Sequence, residues 1–141
     1  MPVTFVPVTI PAATTAYTVL ARNSGLVHYV PDLTSDCTFT LPSPKAGLWF
    51  EFRSASNAAD AQDWIIDTGS DTNFYNGGLM FADQDGDTVG PIDSDGNSNS
   101  ILTVLTPEPG TIIRVESSDG TTWNVSGYVL SATIPTFTDQ A

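Results

Sequence analysis

The chain has 141 residues, 16 acidic side chains against four Lys and Arg, and a formal net charge of −12 at pH 7. That length fits one domain with a self-sufficient core, and the 40% hydrophobic fraction argues against disorder. The cation deficit leaves little to neutralise nucleic-acid phosphates or anionic lipid, and no apolar run approaches the ~20 residues of a bilayer span.

The chain is rich in Thr and Ser, holds one Lys, and its acids are mostly Asp. Surface helices use Lys, Glu, Gln and Leu, whereas Thr, Val, Ile and aromatics favour strands and Asp, Asn, Gly and Pro favour turns. This composition predicts an all-β fold: a single compact antiparallel β-sandwich or barrel, with long loops and extended N- and C-terminal arms. In chain order, residues 1–16 read as the N-terminal arm. Pro2, Pro7 and Pro11 deny it ladder donors, while Phe5, Val6, Val8 and Ile10 want burial, so the arm is expected to lie extended against its own domain or a neighbouring subunit. Its start lacks the basic and unbroken apolar stretches of a secretion leader.

A β-domain over 17–133 follows. Tyr17–Ala21 and Leu26–Val30 read as short strands around an Arg22-Asn23-Ser24-Gly25 turn. Cys37, Phe39 and Leu41 alternate with Thr38 and Thr40, and Leu48, Phe50 and Phe52 alternate with Trp49, Glu51 and Arg53. The Pro42–Gly47 loop between them predicts an antiparallel hairpin. Residues 54–63 read equally as a helical turn or a small-residue loop. Trp64–Asp67 and Leu79–Ala82 are shorter strands, and an acidic loop spans 83–99. Thr111–Ser117 and Thr121–Val125 flank Asp119-Gly120, a strong hairpin signal. Tyr128–Thr133 supplies the last strand, and 134–141 is a C-terminal tail with Ile134 and Phe137 beside Pro135.

One constellation carries possible chemistry. Asp83, Asp85, Asp87, Asp93 and Asp95 alternate with Gly, Asn and Ser, and hard oxygen donors in kinked loops suit Ca²⁺. The glycine falls at the fourth place of each cluster and no Glu closes the loop, so the EF-hand pattern is not met. The competing reading is a solvated loop built from turn residues. Glu51 and Asp63 sit among aromatics, yet Glu51 lies on the polar phase of its strand, which disfavours a glycosidase pair. His28 has no Cys or second His to share a metal and reads as a surface strand residue. Cys37 reads as buried and inert. With one His, one Cys and one Lys, catalytic equipment is scarce, and the expectation is a protein that is not an enzyme. Trp49 lies on the outward phase and reads as a subunit contact, or as a sugar platform.

Five segments carry a resemblance. Leu20-Ala21-Arg22-Asn23-Ser24-Gly25-Leu26, then Cys37–Pro42 and Ala46-Gly47-Leu48-Trp49-Phe50-Glu51-Phe52, resemble small structural proteins of tailed bacteriophages. Pro109–Val115 followed by Asp119-Gly120-Thr121-Thr122-Trp123-Asn124-Val125-Ser126-Gly127 is similar to a hairpin of phage head-decoration and fibre-associated β-domains. The resemblance covers most of Leu20–Tyr128 and leaves the Asp-rich loop outside. It implies a capsid decoration (cement) protein made in the host cytoplasm and carried on the virion capsid surface, commonly a homotrimer. Its expected partners are the major capsid protein and other copies of itself, with neither nucleic acid nor membrane. Phe5, Val8, Ile10, Trp49, Ile134 and Phe137 are the expected contact residues, and no cofactor is expected apart from the candidate Ca²⁺. A head-fibre or tail-fibre domain binding a host-surface glycan is the alternative.

Overall fold

In a computed structural model, which describes residues 6–58, 61–83, 85–86 and 88–140, the chain forms twelve strands and one short 3₁₀ turn, Ala21–Asn23. The strands are β1 (Val8–Thr9), β2 (Ala16–Thr18), β3 (Val27–Val30), β4 (Cys37–Thr40), β5 (Trp49–Ser54) and β6 (Trp64–Asp67). They continue as β7 (Tyr75–Ala82), β8 (Val89–Asp93), β9 (Ile101–Val104), β10 (Ile112–Glu116), β11 (Trp123–Leu130) and β12 (Thr136–Thr138). Two sheets pack into a sandwich. The larger runs β1-β3-β5-β10-β11-β7-β8 and the smaller β12-β9-β6-β4-β2. The expected all-β sandwich is therefore present, and no barrel closes.

Its sheets are mixed rather than purely antiparallel. From β1 to β6 the chain alternates between the two sheets, and each strand lies parallel to the one before it in the same sheet: β1, β3 and β5 in the larger, β2, β4 and β6 in the smaller. This half is a three-coil winding. Antiparallel β10 and β9 then close its advancing edge against β5 and β6. The expected hairpin of Cys37–Leu41 with Leu48–Phe52 does not form, because β4 and β5 lie in different sheets. Both strands do bury the alternate residues expected of them: Cys37, Phe39, Phe50 and Phe52 are fully enclosed. The hairpin around Asp119-Gly120 forms as expected, pairing Ile112 with Tyr128 and Glu116 with Asn124. The strand after its turn runs on without a break through Tyr128 to Leu130. Residues 54–63 contain no helix among those described.

The core between the sheets is aromatic: Phe39, Phe50, Phe52, Tyr75, Trp64 and Trp123 are all at most 1% exposed. His28 belongs to it. The ring lies 5.3 Å from Phe52, 5.9 Å from Phe50 and 6.1 Å from Tyr17, and the residue is 0% exposed. The surface reading of His28 is thus corrected. Its strand phase is that of Val30, and β3 buries that phase.

The termini are built in as well. β1 pairs in parallel with β3, the Ile10 amide donates to the Tyr29 carbonyl at 3.0 Å, and Ile10 is fully buried. β12 pairs with β9, and the Phe137 ring stands edge-on to Tyr75 at 5.8 Å. Prolines earn their place at these edges: Pro7 and Pro11 flank β1, Pro135 precedes β12, and Pro91 sits in β8, so each edge ladder is short or interrupted.

Candidate functional site

Strand direction sorts the connections into two ends. Those leaving odd-numbered strands gather at one end, where Thr34 bonds Ala12, Asp63 bonds Asp36, and Thr106 bonds Asp63. Those leaving even-numbered strands gather at the other, where Asn73 bonds Thr121, Gly47 bonds Ser117, and Gln140 bonds Asp67. The first end carries Asp32, Asp36, Asp63, Asp83, Asp85 and Glu108, and none of its connections contains Lys or Arg. The second holds Arg22 and Lys45 beside Asp71, Asp95, Asp119 and Asp139. Charge is therefore polarised along the molecule.

The second end is stiff because its polar side chains order their own backbone. Asp119 Oδ1 accepts the amides of Thr121 and Thr122, each at 2.8 Å, and Oδ2 accepts the Thr122 hydroxyl at 2.9 Å. The Thr122 and Thr121 amides, followed by that hydroxyl, hold the carboxyl below its usual pKa. Asp95 does the same with the amides of Ser98, Asn97 and Asn99, which hold it well below the carboxylate range. Three of the turns in the segments that carry the resemblance lie here, Arg22–Gly25, Ala46-Gly47 and Asp119-Gly120, whereas Pro109–Thr111 lies at the first end. Asn23-Ser24-Gly25 grips the start of β5, with the Trp49 amide donating to Ser24 Oγ at 3.1 Å and the Gly25 amide donating to the Trp49 carbonyl at 2.8 Å. A side chain at Gly120 would touch the Pro44–Lys45 backbone.

The outer face of the larger sheet is the remaining built surface. Cross-strand register aligns Tyr29, Arg53, Ile112, Tyr128, Met80 and Pro91 in one row that spans six strands. Tyr128 and Met80 are 43% and 44% exposed, and Val89, two residues from Pro91 on the same face, is 66% exposed. Aromatics, Met and Arg are the residue types enriched at protein interfaces. Within this row Arg53 Nε pairs with Glu51 at 2.7 Å, and beside it Arg114 pairs with Glu116 at 3.6 Å. Arg114 also stacks on Trp49, its Cζ 4.0 Å from the ring centroid, a contact of ~0.5–1 kcal/mol at a half-exposed site. One face of Trp49 is thus covered from within the chain and is not an open sugar platform.

The other expected site residues disperse. Val8, Ile10 and Phe137 pack on the chain's own core, Ile134 is 48% exposed beside β12, and Phe5 lies outside the described residues. Among the described residues no group of three His, Cys, Asp or Glu is placed to hold a metal ion. Asp87 lies outside them, Asp83 accepts the Asp85 amide at 3.0 Å, and Asp93 pairs along β8 with Gly78. Burial pushes the Cys37 thiol up to about 11, and no helix is long and apolar enough to cross a membrane among the described residues. Sequence reasoning missed the Tyr128–Met80 row. It split β11 in two, so the shared outward phase of Asn124, Ser126 and Tyr128 went unread.

No protein-family model, curated protein or solved structure matches the chain.

Proposed function

We propose that this chain is a decoration protein of a tailed-bacteriophage capsid, which binds the outer head shell and stiffens it through subunit contacts. The row from Tyr29 to Pro91 carries the reading: a broad sheet face of interface composition on a scaffold whose turns at Asp95 and Asp119 are tied by their own carboxylates. Such a surface loses little entropy on docking, so apolar burial at about 25 cal/mol per Å² converts to affinity with a small ordering cost. The meeting of three of the resemblance-bearing turns at one end agrees with this role.

The test is the copy number of this chain per purified virion, by gel densitometry calibrated on the major shell protein. Copies comparable to the shell protein are expected. A handful per particle would replace the reading with a fibre domain, and complete absence from the virion would refute it.

A further inference from the structure

The decoration reading leaves open where the shell is gripped and what chemistry it must present; the following inference rests on that reading. Among the described residues five large hydrophobics are exposed, and three of them, Met80, Val89 and Tyr128, fall on the adjacent strands β7, β8 and β11 of the larger sheet. Tyr128 stands directly opposite Met80, and Met80 opposite Pro91. Val89 follows on the same face of β8. Four side chains therefore make one continuous apolar patch at the β7–β8 edge. Contiguous exposed apolar surface on a protein is a contact site far more often than scattered single residues are.

The charges around the patch specify its occupant. Asp93 lies on β8 beside it, and Asp83 and Asp85 stand on the β7–β8 connection at its margin. No Lys or Arg occurs anywhere from Tyr75 to Asp93. The two arginines elsewhere on this face are already matched with Glu51 and Glu116. An apolar patch with an acidic rim and no local cation complements an apolar surface with a basic rim. It also repels a second copy, which would bring the same carboxylates on a chain of net charge −12.

We propose that Tyr128, Met80, Pro91 and Val89 form the shell-docking patch, and that its partner is a protein surface with an apolar centre rimmed by Lys and Arg. Docking buries the four side chains while Asp83, Asp85 and Asp93 face the partner's cations. Opposite charge then speeds encounter, so the association rate falls as salt is raised.

The experiment uses heads assembled without this chain. Full-length wild type, Met80→Asp, Tyr128→Asp and Thr138→Asp are added over a range of NaCl, and bound copies are counted after sedimentation. Thr138, exposed on the smaller sheet, is the control for an added charge. Melting curves for each variant establish that it is folded, and sedimentation of the free proteins gives their oligomeric state. The expected result is at least tenfold weaker binding by Met80→Asp and Tyr128→Asp, with Thr138→Asp at the wild-type level. Wild-type binding should also weaken several-fold between low and high salt. Equal binding by all four proteins overturns the patch and leaves the decoration reading standing. Wild type that fails to bind heads overturns both. A wild-type oligomer dissolved by Met80→Asp gives the patch to a second copy, and likewise overturns the inference.

Discussion

Replacing Ile10 by alanine separates a terminal segment that belongs to the fold from one that merely lies near it. Ile10 is fully buried, follows a two-residue strand, and is fixed by its amide to the Tyr29 carbonyl. Truncating a buried Ile to Ala costs about 2–5 kcal/mol, through lost transfer free energy plus the residual cavity. β1 is an edge strand flanked by Pro7 and Pro11, so its surroundings can partly collapse, and the lower half of that range, about 2–3 kcal/mol, applies. For a chain of this size each kcal/mol moves the melting temperature by about 3 °C, so Ile10→Ala should melt about 6–9 °C below wild type. Val6, at 65% exposure, is the comparison, and Val6→Ala should stay within about 0.5 kcal/mol. Urea unfolding followed by Trp fluorescence reads both, since Trp64 and Trp123 are buried in the core. If Ile10→Ala is as stable as Val6→Ala, the segment is detached in solution. It would then be free to reach a partner, and the integration of β1 described above would be wrong.

Acid should unlock the core at its one imidazole. Burial lowers the pKa of His28 below 6.5, an effect the Leu26 and Glu51 carbonyls partly offset, and neither ring nitrogen has a well-aligned partner. A histidine lowered in the folded state contributes stability that is full above pH 6.5 and is lost as pH falls from there towards the folded pKa, by about 1.4 kcal/mol per unit of lowering. Wild type should therefore lose stability between pH 7.5 and 5.5 in urea titrations. His28→Leu should be nearly flat, and parallel curves would refute the argument. A methyl group at Gly127 would collide with the Ile112 carbonyl at a φ of +145°, so Gly127→Ala should cost more than about 2 kcal/mol. Gly90→Ala, with open space, should be near neutral; equal melting temperatures for the two would count against the β10–β11 register. Millimolar Ca²⁺ or a chelator should leave the melting temperature unchanged in low-salt buffer, because the Asp95 carboxylate already accepts three amides. A rise of several degrees with Ca²⁺ would restore the metal reading of the acidic loop.

Alternation in the sequence reveals which face a residue takes, and so the inward Cys37, Phe39, Phe50 and Phe52 were legible. It does not reveal which strand lies beside which. β4 and β5 are joined by a loop short enough for a hairpin, and only the aromatic packing of Phe39 on Phe52 across the sandwich, 5.3 Å between rings, places them in opposite sheets. The Asp-Gly turn was legible because its partner lies next in sequence and the turn dictates the register. Proline left open what the N-terminal arm lies against, its own domain or a neighbouring subunit. It forbids a central strand, as expected, yet an edge strand of two residues between prolines satisfies that prohibition and still buries Ile10. The docking face was hidden for a related reason: Tyr128, Met80 and Pro91 come from three strands and share nothing in the sequence until the register aligns them.

The winding of β1–β6 also sets the order in which the chain can acquire its structure. Within the winding each strand meets the next one laid down in its own sheet, Val8 with His28 and Val27 with Glu51, so closure loops stay short and contacts accrue as the chain emerges. The closing strands behave differently. β10 must return to β5, and β11 must find β7 in parallel, after long stretches of intervening chain. Pairings of that kind slow folding, because their entropy is lost before their contacts form. A nascent chain that has released β6 but not β10 therefore exposes the bare edge of β5 to its neighbours. Until β10 pairs with β5, and β9 with β6, those two edges are the surfaces on which the growing chain is open to strand pairing with its neighbours.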